Sequence, residues 1–124
     1  MTVRKAHHKL HVWQEAMSLV EMVHALTATF SRDETYRLGM QMRRAALSVP
    51  SNLAEGAGRN GPKELLQFVG FASGSLAELE TQLELAVRLK YVKPDADAVG
   101  QVSRVGKLLV GLRNALRKSR ALAE

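Results

Sequence analysis

Between Arg43 and Arg59 the chain reads RRAALSVPSNLAEGAGR, gathering guanidinium groups, two serines, an asparagine and a carboxylate around Pro50. Three chemistries are worth testing against that set. A serine nucleophile at Ser48, Ser51 or Ser75 needs a base beside it, and His24 is the only histidine outside the N-terminal group. Neither a nucleophile elbow nor a triad-like grouping accompanies them. A carboxylate site built from Glu55, Glu78 and Glu80 could hold a divalent metal for hydrolysis, but helical di-metal sites draw on Glu-x-x-His pairs, and the chain contains none. The run Gly56-Ala57-Gly58-Arg59-Asn60-Gly61-Pro62 leads into a helix as a phosphate loop does. It lacks the Lys-Ser/Thr ending and the preceding strand, so it reads as a helix terminator.

Histidines and cysteines add little. His7 and His11 would share a face only if the N-terminus were helical, and that segment precedes the first strong helical period and carries no carboxylate ligand. It reads as a mobile basic tail. His24 reads as a bundle-edge histidine, and with no cysteine in the chain thiolate zinc sites and cysteine nucleophiles are excluded. The expectation is a protein that is not an enzyme and uses neither metal nor cofactor.

The polar groups then need a structural reading. Arg44, Ser48, Ser51 and Glu55 recur every three to four residues beside an apolar row of Ala45, Val49 and Leu53, and Asn52 lies next to them. A later segment answers with Glu78, Glu80, Gln82 and Glu84. Arg43 or Arg44 paired with Glu78 or Glu80 would fix helix register or a subunit interface, because a guanidinium fork matches a carboxylate bidentately.

Four segments with helical periodicity position these groups. The first is expected over Val12 to Phe30. Ser31 and Glu34 have capping-box spacing for the second, Asp33 to Ala57, which Pro50 should kink by removing a backbone donor and crowding the Ala46 carbonyl. Pro62 suits the first residue of the third, which runs to Lys90, and after the Lys93-Pro94-Asp95 turn the fourth covers Asp95 to Leu122. Short connections between long helices predict an all-α, up-down-up-down antiparallel four-helix bundle, one domain over residues 1–124 with residues 1–11 as the basic tail.

The third helix carries the clearest seam: Leu65, Val69, Ala72, Leu76, Leu79, Leu83 and Ala86, at alternating steps of four and three. A second apolar stripe of Phe71, Leu85 and Leu89 lies roughly opposite. The first helix spreads apolar residues from Trp13 to Phe30 over about 220° of its circumference, against about 100° for a one-sided helix. Excess apolar surface on both helices predicts a second interface, most simply with identical subunits.

Net charge is +6, with 18 basic and 12 acidic residues among 124. Residues 1–12 carry +3 and residues 98–124 carry +5, leaving −2 for the rest. On the fourth helix Arg113, Arg117 and Arg120 form one basic strip and Arg104, Lys107 and Lys118 another, a candidate surface for RNA or DNA phosphates. No aromatic residue interleaves them, so base stacking is not indicated there. No apolar run approaches the roughly 20 residues that span a bilayer, which predicts a cytoplasmic protein without a membrane partner.

With LHVWQEA at 10–16, RRAALSVPSNLAEGAGR at 43–59 and GSLAELETQL at 74–83, the chain resembles the bacterial four-helix bundle proteins encoded in intervening sequences of 23S ribosomal RNA genes. The resemblance runs from Lys9 to Lys118. It implies an up-down bundle assembled as a cyclic homopentamer, and it implies that ribosomal labels reflect genomic location rather than ribosome membership. A related branch, the accessory variability determinants of diversity-generating retroelements, is pentameric and basic, binds nucleic acid and partners a reverse transcriptase. Two positions depart from the family pattern: Ser31 stands where proline is usual, and Lys90 where glycine is usual.

Together these readings predict a non-enzymatic homo-oligomer that binds RNA, DNA or a ribonucleoprotein through basic surfaces. The alternative is an oligomeric scaffold for another protein, with the basic residues merely solvating its surface.

Overall fold

In the computed structural model, residues 5–123 are described, with side chains for 5–121, so Arg4 of the basic N-terminus lies outside them. A 3₁₀ turn, Ala6–Lys9, precedes α1 (His11–Thr27). Helix α2 opens with an α turn at Arg32–Glu34, widens into a π turn at Thr35–Gly39 and continues over Met40–Ala57. α3 spans Pro62–Arg88 and α4 Asp97–Ala123. Each helix packs against its chain neighbours, and α1 also meets α4, closing a four-helix bundle. No strand occurs among the described residues, and no helix there is long and apolar enough to cross a membrane.

The stripe on α3 becomes the core. Val69, Ala72, Leu76, Leu79, Leu83 and Ala86 are buried and Leu65 partly so, facing Leu19 and Val23 of α1, Met42, Val49 and Leu53 of α2, and Val102, Val105 and Leu109 of α4 in one cluster. Each fully buried Leu or Val contributes about 1.5–3 kcal/mol relative to its exposed state. The wide apolar arc of α1 is only partly used: Ala16, Leu19 and Val23 are buried, whereas Trp13, Met17, Val20, Met22 and Leu26 are half-covered.

Helix ends follow local chemistry. α1 stops at Thr27, three residues before the expected Phe30, because threonine hydroxyls bond back to carbonyls: Thr27 Oγ1 to Val23 O at 2.8 Å and Thr29 Oγ1 to Leu26 O at 2.7 Å. Phe30 then tucks in as a buried residue against the Tyr91 ring. Ser31 caps α2 by accepting from the Glu34 amide at 3.3 Å, as its spacing predicts. Pro62 is the first residue of α3, after Gly61 at φ 104°. The helical backbone of α2 continues through the buried Pro50. An irregularity that the sequence does not announce lies earlier, at the π turn, where the Met40 amide reaches back to the Thr35 carbonyl.

α3 ends at Arg88 rather than Lys90. The Lys90 amide bonds to Val87 O at 3.0 Å and the Tyr91 amide to Ala86 O at 2.9 Å, a Schellman closure with Lys90 left-handed at φ 65°. α4 starts two residues later than Asp95, since Ala96 is still held in a turn by its bond to Lys93 O.

Candidate functional site

The two most distinctive segments, 43–59 on α2 and 74–83 on α3, meet where these helices pack together. Ser48 and Ser75 place their hydroxyls 2.8 Å apart, and Asn52 Nδ2 donates to both the carbonyl and the hydroxyl of Ser48, at 2.8 and 3.0 Å. No described histidine bonds to this row, which joins α2 to α3 through Ser48 and Ser75. Further along α3, Gln82 is buried at 8% exposure and donates to Glu78 Oε1 at 3.4 Å. Its own Oε1 is buried without a hydrogen-bond partner. Phe71, Leu85 and Leu89, the second stripe, remain 50%, 44% and 47% exposed beside that row.

Arg43 does not pair with α3. Its Nε donates to Thr27 Oγ1 at 2.7 Å and its Nη2 to the His24 carbonyl at 3.3 Å, so it fastens α2 to α1. Arg44 is exposed on α2, and neither arginine forms an ion pair with Glu78 or Glu80. The reason is angular: at 100° per residue, position 43 turns toward α1 and position 44 outward. Glu55 pairs with Arg59 at 3.1 Å, and that guanidinium sits 5.2 Å above the Phe68 ring. Glu78 turns toward the α2 side of α3, while Glu80 faces the opposite side, toward α4. No group of three or more His, Cys, Asp or Glu capable of holding a metal occurs among the described residues.

The basic residues of α4 divide among three surfaces. Arg104 Nε pairs with Glu15 of α1, next to Gln101 Nε2, which donates to the Glu15 carbonyl at 2.9 Å. Lys107 instead faces α3, so Arg104, Lys107 and Lys118 do not form a common strip. Arg113 is half-buried, with its Nε enclosed. Arg117 and Arg120 are brought together with Leu66 and Ala121 around an open depression of about 410 Å³, with Lys118 exposed nearby on α4.

The N-terminal histidines lie close to Trp13. The His7 and His8 rings meet at a tilt, 4.3 Å apart, and each meets Trp13 edge-on, at 4.8 and 5.2 Å, while His11 is exposed at the start of α1. Partial burial holds the His7 pKa below its usual value, with smaller contributions from the positive charges of His8 and Lys5. Sequence reasoning also missed Thr27, Glu15 and Gln101 as cross-helix anchors. Alternation on α1 places Thr27 and Glu15 toward neighbours, but nothing in their types names the partner.

The family described as 23S rRNA-intervening sequence protein matches residues 8–111, and the chain belongs to it. Comparison with curated proteins yields no match.

Proposed function

We propose that this member of the 23S rRNA-intervening sequence protein family is a non-enzymatic, cytoplasmic protein that self-associates and holds RNA or DNA on basic surfaces, without strong sequence preference. The observation that carries the nucleic-acid reading is the α4 C-terminal region. There Arg117 and Arg120 share one open depression, Lys118 is exposed, and Arg117 and Lys118 belong to none of the ion pairs among the described residues. Cations not already neutralised within the chain are the ones that release counterions when they meet phosphate. A ring of subunits, pentameric as the resemblance implies, repeats that surface and raises avidity without any new contact. Self-association is supported by the exposed Phe71, Leu85 and Leu89 stripe.

Titrating RNA and duplex DNA across a salt series tests the proposal. Affinity should fall steeply with salt, and Arg117→Glu with Lys118→Glu should weaken binding to both polymers and flatten the slope. Absence of binding at low salt overturns it. Purification without nuclease supplies a second readout: nucleic acid should co-elute, whereas a stoichiometric protein in its place favours the scaffold reading.

A further inference from the structure

Antiparallel packing brings the start of α1, the end of α2, the start of α3 and the end of α4 to one end of the bundle. Gly56, near the end of α2, lies so close to the start of α3 that a Cβ there would come within 2.6 Å of Phe68 Cβ. Leu66 of α3 shares its depression with Arg117 and Arg120 of α4, and the Ala6–Lys9 turn that leads into α1 packs against α2.

This end is electropositive. Lys5 and Lys9 come from the N-terminal turn, Lys63 from α3, and Arg117, Lys118 and Arg120 from α4. The carboxylates of the α2–α3 corner are already engaged, Glu55 with Arg59 and Glu64 with the Asn60 amide at 3.0 Å. At the opposite end Asp33, Glu34, Asp95 and Asp97 offset the basic residues around them. The basic end also holds the aromatic rings that α4 itself lacks. His7, His8 and Trp13 gather there, each half-buried, so all three present surface to solvent. Their turn is held in place: the Lys5 amide donates to His8 Nδ1 at 2.8 Å, and Gln14 Nε2 donates to the His8 carbonyl at 2.9 Å.

We propose that this end of the bundle binds single-stranded RNA or DNA, with phosphates on the basic residues and an unpaired base against the His7, His8 and Trp13 rings. This rests on the nucleic-acid reading above and adds to it the form of the strand and a second point of contact. Phosphate alone would suit a duplex equally well, but a duplex keeps its base faces stacked on one another, so the rings gain nothing from it. A single strand satisfies both sets of groups. With neighbouring helices about 8–10 Å apart, the end face is about 20 Å across, a span suited to a single-strand site of a few nucleotides.

Trp13 is the chain's single tryptophan, so its fluorescence reads the site directly. Oligouridylate and oligothymidylate of about twelve nucleotides should quench it, and should bind about tenfold or more tighter than a duplex of equal length. Quenching by either supports the site, and the ratio of their affinities identifies the preferred sugar. Heparin, a polyanion without bases, should bind by charge and leave Trp13 unquenched. His7→Ala should weaken single-strand binding about fivefold or more and leave heparin binding unchanged, whereas Lys5→Glu with Lys9→Glu should weaken both. A duplex bound as tightly as the single strands, single strands bound without change at Trp13, or parental affinity in His7→Ala overturns the base contact and leaves the nucleic-acid reading standing. Absence of binding to single strand and duplex alike at low salt overturns both. So does a response of Trp13 to phosphatidylserine vesicles alone, which assigns this end to a lipid surface.

Discussion

Ser48 and Ser75 face each other with their hydroxyl oxygens 2.8 Å apart, joining the two most distinctive sequence segments across α2 and α3. Either hydroxyl can serve as donor, and Asn52 adds a further bond to Ser48 Oγ. Ser48→Ala leaves the Ser75 hydroxyl without this partner in a half-buried site, Ser75→Ala leaves Ser48 Oγ with Asn52 alone, and replacing both removes the pair together. Ser48→Ala or Ser75→Ala alone should therefore cost about 1–3 kcal/mol, and the double variant clearly less than the sum. Urea unfolding of the four proteins in a double-mutant cycle measures the coupling, and strict additivity would contradict it.

Adjacent arginines should behave very differently. Arg43 spends its Nε and Nη2 on Thr27 and His24 of α1, whereas Arg44 is exposed. Arg43→Met, which keeps the aliphatic stem, should destabilise the bundle by about 1.5–3 kcal/mol, and Arg44→Met should stay within about 0.5 kcal/mol in the isolated subunit. Equal effects in thermal or urea unfolding would refute the assignment.

This pair also marks how far the sequence could be read. The α3 seam, the Ser31 cap and the Pro62 start were legible because each depends on spacing within one element. The partner of Arg43 was not, since charge complementarity favoured the carboxylates of α3 while the helical angle of position 43 directs it to α1. Arg104 escaped for a related reason: its neighbour Glu15 lies 89 residues away on another helix. Long side chains report their own charge but not the element they reach. The N-terminal turn at Ala6–Lys9 was not legible because the edge-on contacts of His7 and His8 with Trp13 follow no helical period.

Lys90 adopts φ 65° at the position just past α3, within a Schellman closure that glycine fits without strain. A side chain in the left-handed region costs about 1–2 kcal/mol, part of which a glycine returns through the greater freedom of its unfolded chain. Lys90→Gly should raise stability by about 0.5–1 kcal/mol. A melting temperature that falls would show that the Lys90 side chain contributes a contact outweighing the strain.

The 3₁₀ turn at Ala6–Lys9 should loosen in acid. The Lys5 amide donates to His8 Nδ1 at 2.8 Å, which places His8 beside His7 in that turn. His7, its pKa lowered in the folded turn, binds fewer protons there than when released. Its contribution is complete above the ordinary histidine value of 6.5 and is lost as pH falls from that value through the lower folded one. Fluorescence of Trp13, the chain's single tryptophan, should therefore shift between pH 7.5 and 5.5 while far-ultraviolet dichroism stays constant. His7→Gln should abolish the shift, and a flat response in the parent protein would rule the mechanism out.

The π turn at Thr35–Gly39 spends one more residue on its turn than an α-helix does. Rotation gained or lost upstream of it is absorbed before Met40, so the angular phase of Arg43, Ser48 and Asn52 is insulated from changes in the length of the α1–α2 connection. The elbow works as a phase adjuster: a one-residue deletion that turned it into plain α-helix would rotate the preceding turn by about 100° while leaving the α3-facing side of α2 where it is. This corner of the bundle can thus change by one residue while the surface that meets α3 keeps its aim.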